Sequence, residues 1–318
     1  MQEKKSARLN EIAVVGHHDH GAQVELTAVL VAVPNGNPVV LTIGAAAALP
    51  SGPLESSHRS LQSGLRDWVE QQTGHPLGYI EQLYTFADRD RSGEDPERRV
   101  ISISYLGLTR EEPSRATSSG SWRNWYEFFP WEDHRYGAPP VITDVIEPAL
   151  RQWANEAARE EKRRQRWQRA IVCFGFDDQN WNEELTLQRY ELLYEAGLVE
   201  EGARRNGAAG AQLVPGRAMQ GDHRRILATG IARLRTKIKY RPVVFELMPP
   251  AFTLLQLQRT VEALAGVTVH KQNFRRLIEQ QELVEETGQM SSETGGRPAK
   301  LFQFRHAVLD EHPVAGTK

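Results

Sequence analysis

Residues 253–304 constrain this chain more than any other stretch of it. Thr253 is a capping residue in front of Leu254–Leu264, whose Leu255, Val261 and Leu264 mark a core face, and Gly266 ends the segment. Thr268 caps a second expected helix, Val269–Gln281, on which Phe274, Leu277 and Ile278 share one side with His270. Gln272, Asn273, Arg275 and Arg276 occupy the opposite side. Two short strands follow, Leu283–Glu286 and Lys300–Phe304, joined by a loop that contains Thr294-Gly295-Gly296-Arg297-Pro298. Helix, short turn, helix and hairpin in this order form the pattern of a winged helix-turn-helix. Its chemistry suits duplex DNA, because a helix fits the major groove and Gln, Asn and Arg side chains can read base edges. Gly295 and Gly296 let a wing backbone approach phosphates, with Arg297 and Lys300 supplying charge. The expected DNA contacts are therefore Lys271, Gln272, Asn273, Arg275, Arg276, Arg297 and Lys300. A small structural domain with a solvated polar face has the same pattern. Net charge does not separate the two readings, since eight Lys and Arg balance eight Asp and Glu over residues 248–318.

A length of 318 residues exceeds the usual single domain and implies two. The formal net charge of -2 provides no overall basic field, so any nucleic-acid contact depends on how charge is distributed. The single cysteine, Cys173, excludes an internal disulfide and fits a reducing compartment. The polar first residues resemble no signal peptide, and no run approaches the ~18 apolar residues of a membrane span, so a cytoplasmic location is expected.

From Val24 to about Leu106 the pattern is strand-rich. Val24–Val33 and Val39–Ile43 flank the hairpin turn Pro34-Asn35-Gly36-Asn37. Ser60–Gln72 carries Leu61, Leu65, Trp68 and Val69 at helical spacing, with Thr73-Gly74 as its stop. Tyr84–Phe86 and Arg99–Leu106 read as further strands, and strands around one helix imply a compact α/β or α+β unit.

The middle of the chain is richer in aromatics. Ser114–Ser121 reads as a loop, followed by Trp122, Trp125, Tyr126, Phe128, Phe129, Trp131 and Tyr136. These rings can stack on an adenine or pack into a core, with neither reading favoured. A long helix is expected from about Asp144 to Ile171, basic over Arg159–Arg169, and another over about Asn182–Leu198. Arg204–Gly216 reads as a linker, Asp222–Tyr240 as a basic helix that could extend a positive footprint, and Pro242–Leu247 as a strand. His17-His18-Asp19-His20 has metal-binding residue types, although a polar segment of this kind is commonly solvated.

Three segments carry a family resemblance at the C-terminal end: Phe252-Thr253-Leu254 with Leu257-Gln258, His270–Arg276, and Gly296–Phe302. They resemble the DNA-binding domain of the Nudix-related regulators of NAD metabolism. Leu49-Pro50, Thr73-Gly74 and Glu81–Phe86 resemble that family's sensor domain, and the middle helices are similar to its longer, NadQ-like subgroup rather than the shorter NrtR type. The resemblance implies an α+β fold, a Nudix-like α/β/α sandwich over residues 1–247 with an insertion at about 109–215 and a winged helix-turn-helix over 248–318. It also implies a homodimeric repressor of NAD biosynthesis genes that binds NAD, ADP-ribose or ATP as effector and needs no cofactor. Arg59, Arg66, Gln82, Tyr84, Phe86, Trp122 and Trp125 are the candidate ligand contacts.

A working Nudix box presents glutamates that hold Mg²⁺ against a pyrophosphate. Aligned on Thr73-Gly74, the box positions for glutamate carry Arg59, Trp68, Gln71 and Gln72, and its arginine position carries Asp67. Shifted by one residue, on Gly52, it recovers only Arg66, Asp67 and Glu70, with His58 in place of the first glutamate. Neither alignment supplies a full carboxylate set, so no metal or catalytic residue is expected. The alternative is a nucleoside diphosphate hydrolase with an accessory domain.

Overall fold

The computed structural model describes residues 22–78, 80–88, 100–110, 120–207, 213–240, 243–291 and 298–305. The His17–His20 segment and Arg297 lie outside these residues.

A mixed β-sheet organises the N-terminal part. Strand β1 (Gln23–Ala32) is its centre, paired in parallel with β5 (Val100–Leu108) on one side. On the other side β2 (Val39–Ile43) and β3 (Ser51–Pro53) both run antiparallel to β1, each covering a different part of its length. Beyond these lie β4 (Ile80–Phe86) at one edge and β6 (Gly120–Asn124) at the other, so the order is β4-β5-β1-β2-β6. The β1–β2 turn is a single 3₁₀ turn in which Asn35 and Gly36 take positive φ, a conformation that asparagine and glycine adopt most readily.

Alternation along β1 explains the layering. Leu26, Ala28 and Leu30 point to one face and pack with Leu65 and Val69 of helix α1 (Leu61–Thr73). Val29 and Val31 point to the other face, into a larger core with Trp125, Phe128, Phe129 and Trp131. α1 is bounded as its sequence dictates: Ser60 and Ser63 form a capping box, and Gly74 ends the helix in the left-handed conformation.

The second face is covered by a helical body. It comprises α2 (Glu147–Asn155), α3 (Glu160–Phe174), α4 (Thr186–Glu195), the short α5 (Glu200–Asn206) and α6 (His223–Tyr240). α6 lies against β1, where Gly230 lets the helix approach the Val29 side chain. The long helix expected from Asp144 to Ile171 is broken into α2 and α3. The charged stretch between Ala154 and Ala170 has no apolar stripe to bury, so the chain folds back and delivers Trp153 and Phe174 to one core. Arg163 and Arg166 then donate to the carbonyls of Ala157 and Trp153, both at 2.7 Å, which satisfies the end of α2.

Three further expectations are corrected. Ser121 belongs to β6, so the sheet itself extends into the segment read as an insertion. The expected linker from Arg204 begins inside α5. Val243–Leu247 forms a 3₁₀ turn and not a strand. β-propensity reflects packing more than backbone preference. Here Val244 and Met248 enter one core and Leu247 another, a division that one helical turn achieves.

The C-terminal unit consists of α7 (Leu254–Ala265), α8 (Lys271–Gln280), β7 (Val284–Ser291) and β8 (Ala299–Phe304) around a core of Val244, Met248, Phe252, Leu257, Phe274 and Ile278. Phe252 adds a third strand position, exchanging both backbone hydrogen bonds with Phe302 at 2.9 and 2.8 Å.

A candidate nucleic-acid interface

The recognition surface is built from the caps outward. Thr253 accepts from the Gln256 amide at 3.1 Å while the Gln256 side chain accepts from Thr253 N at 2.7 Å, a reciprocal capping box that fixes the start of α7. Gly266 ends the helix at φ 74. The turn into α8 is set by Glu262, which accepts from Val269 N at 2.9 Å, and by Gln258, which donates to Val269 O at 3.2 Å. Polar residues of α7 thereby fix the angle of the next helix. The residue capping α8 is His270 rather than Thr268, and its side chain makes no cap bond.

On α8, Phe274 and Ile278 are buried in the domain core, while Lys271, Gln272, Asn273, Arg275 and Arg276 are exposed. At about 100° per residue, Gln272 and Arg276 lie diametrically opposite the buried pair, with Asn273 and Arg275 on the flanks. Leu277 stands roughly a quarter-turn off the buried line and is 46% exposed, and Leu255 on α7 is 42% exposed, so neither is a core residue as expected. Among the described residues no carboxylate forms an ion pair with Lys271, Arg275 or Arg276. In the wing, by contrast, Lys300 is held by the Glu286 carboxylate at 2.7 and 3.0 Å. That pair is exposed, so DNA would have to displace Glu286 to recruit the Lys300 cation.

The basic helix α6 makes no such surface. Arg224 is buried against Glu201 at 3.2 Å and the Phe128 carbonyl, and Arg225 binds Asp88 at 2.6 Å, Asp222 at 3.2 Å and Glu191 at 2.5 Å. Arg235 meets Glu132, Lys237 meets Glu81, and Lys239 meets Glu183 and Glu184. Of the six Lys and Arg side chains on α6, five are tied to carboxylates, Lys239 while itself still exposed, and Arg233 is exposed with no ion pair among the described residues. The basic run Arg159–Arg169 is a mostly exposed helix face on which Arg163 and Arg166 hold backbone carbonyls and Arg169 pairs with Glu195 at 2.6 Å.

The seven candidate ligand contacts do not converge. Trp125 is fully buried in the core and offers nothing to a ligand. Phe86 is buried with the Arg225 guanidinium 4.9 Å from its ring centre. Trp122 sits on β6 and Tyr84 on β4, opposite edges of the sheet, with Trp122 partly buried edge-on against His75 at 5.5 Å. The aromatic cluster is therefore chiefly core, because its rings seal the sheet against the helical body. Arg66 is diverted to the carbonyls of Leu77 and Gly78. Arg59, Gln82 and Tyr84 remain exposed, Tyr84 at 55%, its ring edge-on to Phe86 at 4.9 Å.

The face of α1 toward β3 carries Trp68 and Gln72. The Trp68 indole donates to Pro53 O at 2.9 Å and lies flat against Gly52, where any Cβ would collide with it. Gln72 uses both ends of its amide on Ser51, accepting from its N at 3.1 Å and donating to its O at 2.7 Å. Asp67 and Glu70 point to solvent. The pairing of Gln72 with Ser51 has no signature in the sequence beyond the residue types.

Comparison with known proteins agrees with this architecture. Residues 244–304 match the family model described as the NrtR DNA-binding winged helix domain. Crystal structures of Shewanella oneidensis NrtR complexed with a 27mer DNA and of a MutT/nudix family protein from Enterococcus faecalis align over 90% and 96% of this chain. They cover 95% and 90% of those chains, with TM-scores of 0.51 and 0.52 at 18% identity in each case. The fold is a Nudix-like domain joined to a winged helix. At this identity the solved structures speak for the fold alone. The ADPR responsive transcriptional repressor NtrR of Acinetobacter baylyi is 42% identical over 83 residues, which are 26% of this chain and 33% of that repressor. The match thus spans about a third of the length of this curated relative.

Proposed function

We propose that this chain is a DNA-binding transcriptional repressor whose Nudix-like domain reads ADP-ribose without hydrolysing it. The observation that carries the reading is the α8 surface: amide and guanidinium side chains opposite the buried Phe274 and Ile278, on a segment matching a DNA-binding winged helix. Lys271, Gln272, Asn273, Arg275 and Arg276 make the helix contacts, and Arg297 and Lys300 the wing contacts. A homodimer places two such helices on the two halves of one duplex site.

ADP-ribose is favoured over NAD and ATP as effector because the matched relative is by its name ADPR responsive. Tyr84, exposed on β4, offers the ring on which adenine stacks, with Gln82 of the same strand as a polar contact and Arg59, ahead of α1, as a further exposed cation. A divalent cation needs hard oxygen donors, and Trp68 together with an amide already committed to Ser51 does not fit one. This donor chemistry supports sensing over turnover.

Calorimetric titration with ADP-ribose, NAD and ATP, followed by fluorescence anisotropy on duplexes selected from random sequence by the protein, tests the reading. ADP-ribose is expected to bind most tightly and to change duplex affinity, and Tyr84→Ala to weaken ADP-ribose about tenfold. Release of AMP from ADP-ribose in the presence of Mg²⁺, or no affinity for any duplex, would refute it.

A further inference from the structure

The last turn of α7 ends against the helical body, and three of its carbonyls are taken by donors from outside the winged helix. The Tyr126 hydroxyl donates to Ala263 O at 2.8 Å, Arg235 Nε to Leu264 O at 3.0 Å, and His134 N to Gly266 O at 2.7 Å. Carbonyls at a helix C-terminus have no partner within the helix and carry the negative end of its dipole, so a buried guanidinium is a well-matched donor to that end. Five residues beyond Gly266 the recognition helix α8 begins. Whatever holds Gly266 therefore holds the base of α8.

The three donors form one unit. Glu132 is entirely buried and receives Arg235 at 2.5 Å and Arg189 at 2.5 and 2.9 Å. Arg235 also donates to Glu183 O at 3.0 Å and to the Thr186 hydroxyl at 2.9 Å, and Arg189 to Cys173 O at 2.8 Å and Asn182 O at 2.9 Å. The Arg189 guanidinium lies 3.7 Å from the centre of the Trp181 ring, which stacks on His134 at 3.8 Å. Burial alone would raise the Glu132 carboxyl, but the two guanidiniums and their hydrogen bonds outweigh it and keep the group ionised. One carboxylate thus fixes the two side chains that reach α7 or the His134 stack. Tyr126 and Glu132 follow directly on β6, so the linkage starts at the sheet edge. A Cβ at Gly266 would meet Glu132 O, the Arg235 guanidinium and the Tyr126 hydroxyl at once, so only glycine permits this approach.

We propose that Arg235 and Tyr126 are positioning residues for DNA recognition, through which the Nudix-like domain sets the placement of α8 by gripping the carbonyl end of α7. The inference rests on the functional reading above. Ligation of the sheet domain that shifts β6 or α6 moves these donors, and with them the helix that meets the duplex. Coupling carried this way is reciprocal: DNA must change the affinity for the nucleotide by the same factor.

The experiment uses the full chain with ADP-ribose as probe. Duplex Kd is measured with and without saturating ADP-ribose in the unaltered protein, Arg235→Lys and Tyr126→Phe, with thermal melting as a control for folding. Arg235→Lys keeps the charge but loses the fork that spans Glu132 and Leu264 O, and Tyr126→Phe removes one hydroxyl and little else. The ratio of the two Kd values is expected to fall roughly tenfold in Arg235→Lys and about threefold in Tyr126→Phe, with ADP-ribose affinity kept within about twofold. Loss of coupling in Tyr126→Phe alone supports the inference even where Arg235→Lys fails to fold. Undiminished coupling in folded Tyr126→Phe and Arg235→Lys overturns it while leaving the functional reading intact. An unaltered protein that binds duplex equally with and without ADP-ribose removes the functional reading, and this inference with it.

Discussion

Helices α6 and α8 are both rich in cations, yet they do opposite things with them. On α6, five cations are spent on carboxylates and carbonyls contributed by distant parts of the same chain. On α8, Lys271, Arg275 and Arg276 have no counter-ion among the described residues and stand exposed around a narrow apolar stripe. A count of Lys and Arg ranks α6 first as a nucleic-acid surface. Burial reverses the ranking, because a cation neutralised inside the fold has nothing left for phosphate.

The contrast can be broken most severely at Glu132. Glu132→Gln leaves two buried guanidiniums without their shared counter-charge, and denaturant unfolding should show a loss of about 3–5 kcal/mol. A loss near that of a surface substitution would mean that the α6 cations are not structurally committed.

Acid titration probes the other end of α6. His223 is buried as it accepts from Leu49 N at 2.9 Å, and burial lowers its pKa to about 4. The unfolded chain takes up that proton near pH 6.5 whereas the folded one does so only near pH 4, so stability contributed by neutral His223 is present above the unfolded value and is lost as pH falls between the two. His223→Gln should flatten the fall in melting temperature over this window, a difference on the order of a few kcal/mol at its acid end. Parallel melting curves for the two proteins from pH 7 to pH 4 would contradict the assignment.

On α8 the expected effect lies in binding and not in folding. Arg276→Ala should cost about 1–3 kcal/mol of duplex affinity while unfolding free energy moves by less than about 0.5 kcal/mol. Comparable losses in both would place Arg276 in the fold and erase the distinction between the helices. The smallest effect is expected at Lys239, whose ion pairs with Glu183 and Glu184 are partly exposed. Lys239→Ala should cost under about 1 kcal/mol of stability and leave duplex affinity unchanged, as read by the same two assays.

The legible parts of this molecule were those decided within a few residues. The helix start at Ser60, the cap at Thr253, the stops at Gly74 and Gly266, the β1–β2 hairpin and the polar face of α8 all follow from local spacing, and all are present. What stayed hidden depends on partners far away in the chain. Glu132 lies 57 residues from Arg189 and 103 from Arg235, and no periodicity announces such a meeting. The same holds for the aromatic cluster, where Trp125 and Trp131 look like ligand platforms until the helical body is laid over them. β6 and the Phe252 strand position were missed because each is short and is defined by the edge it joins.

The Trp68 indole over Gly52 bears on whether a single substitution could install a carboxylate on this face of α1. A glutamate placed at position 68 would vacate an indole-sized space, strand the Pro53 carbonyl without its donor, and still face Gln72 locked onto Ser51. Trp68→Glu is therefore expected to destabilise the sheet domain without completing a metal site, as read by denaturant unfolding.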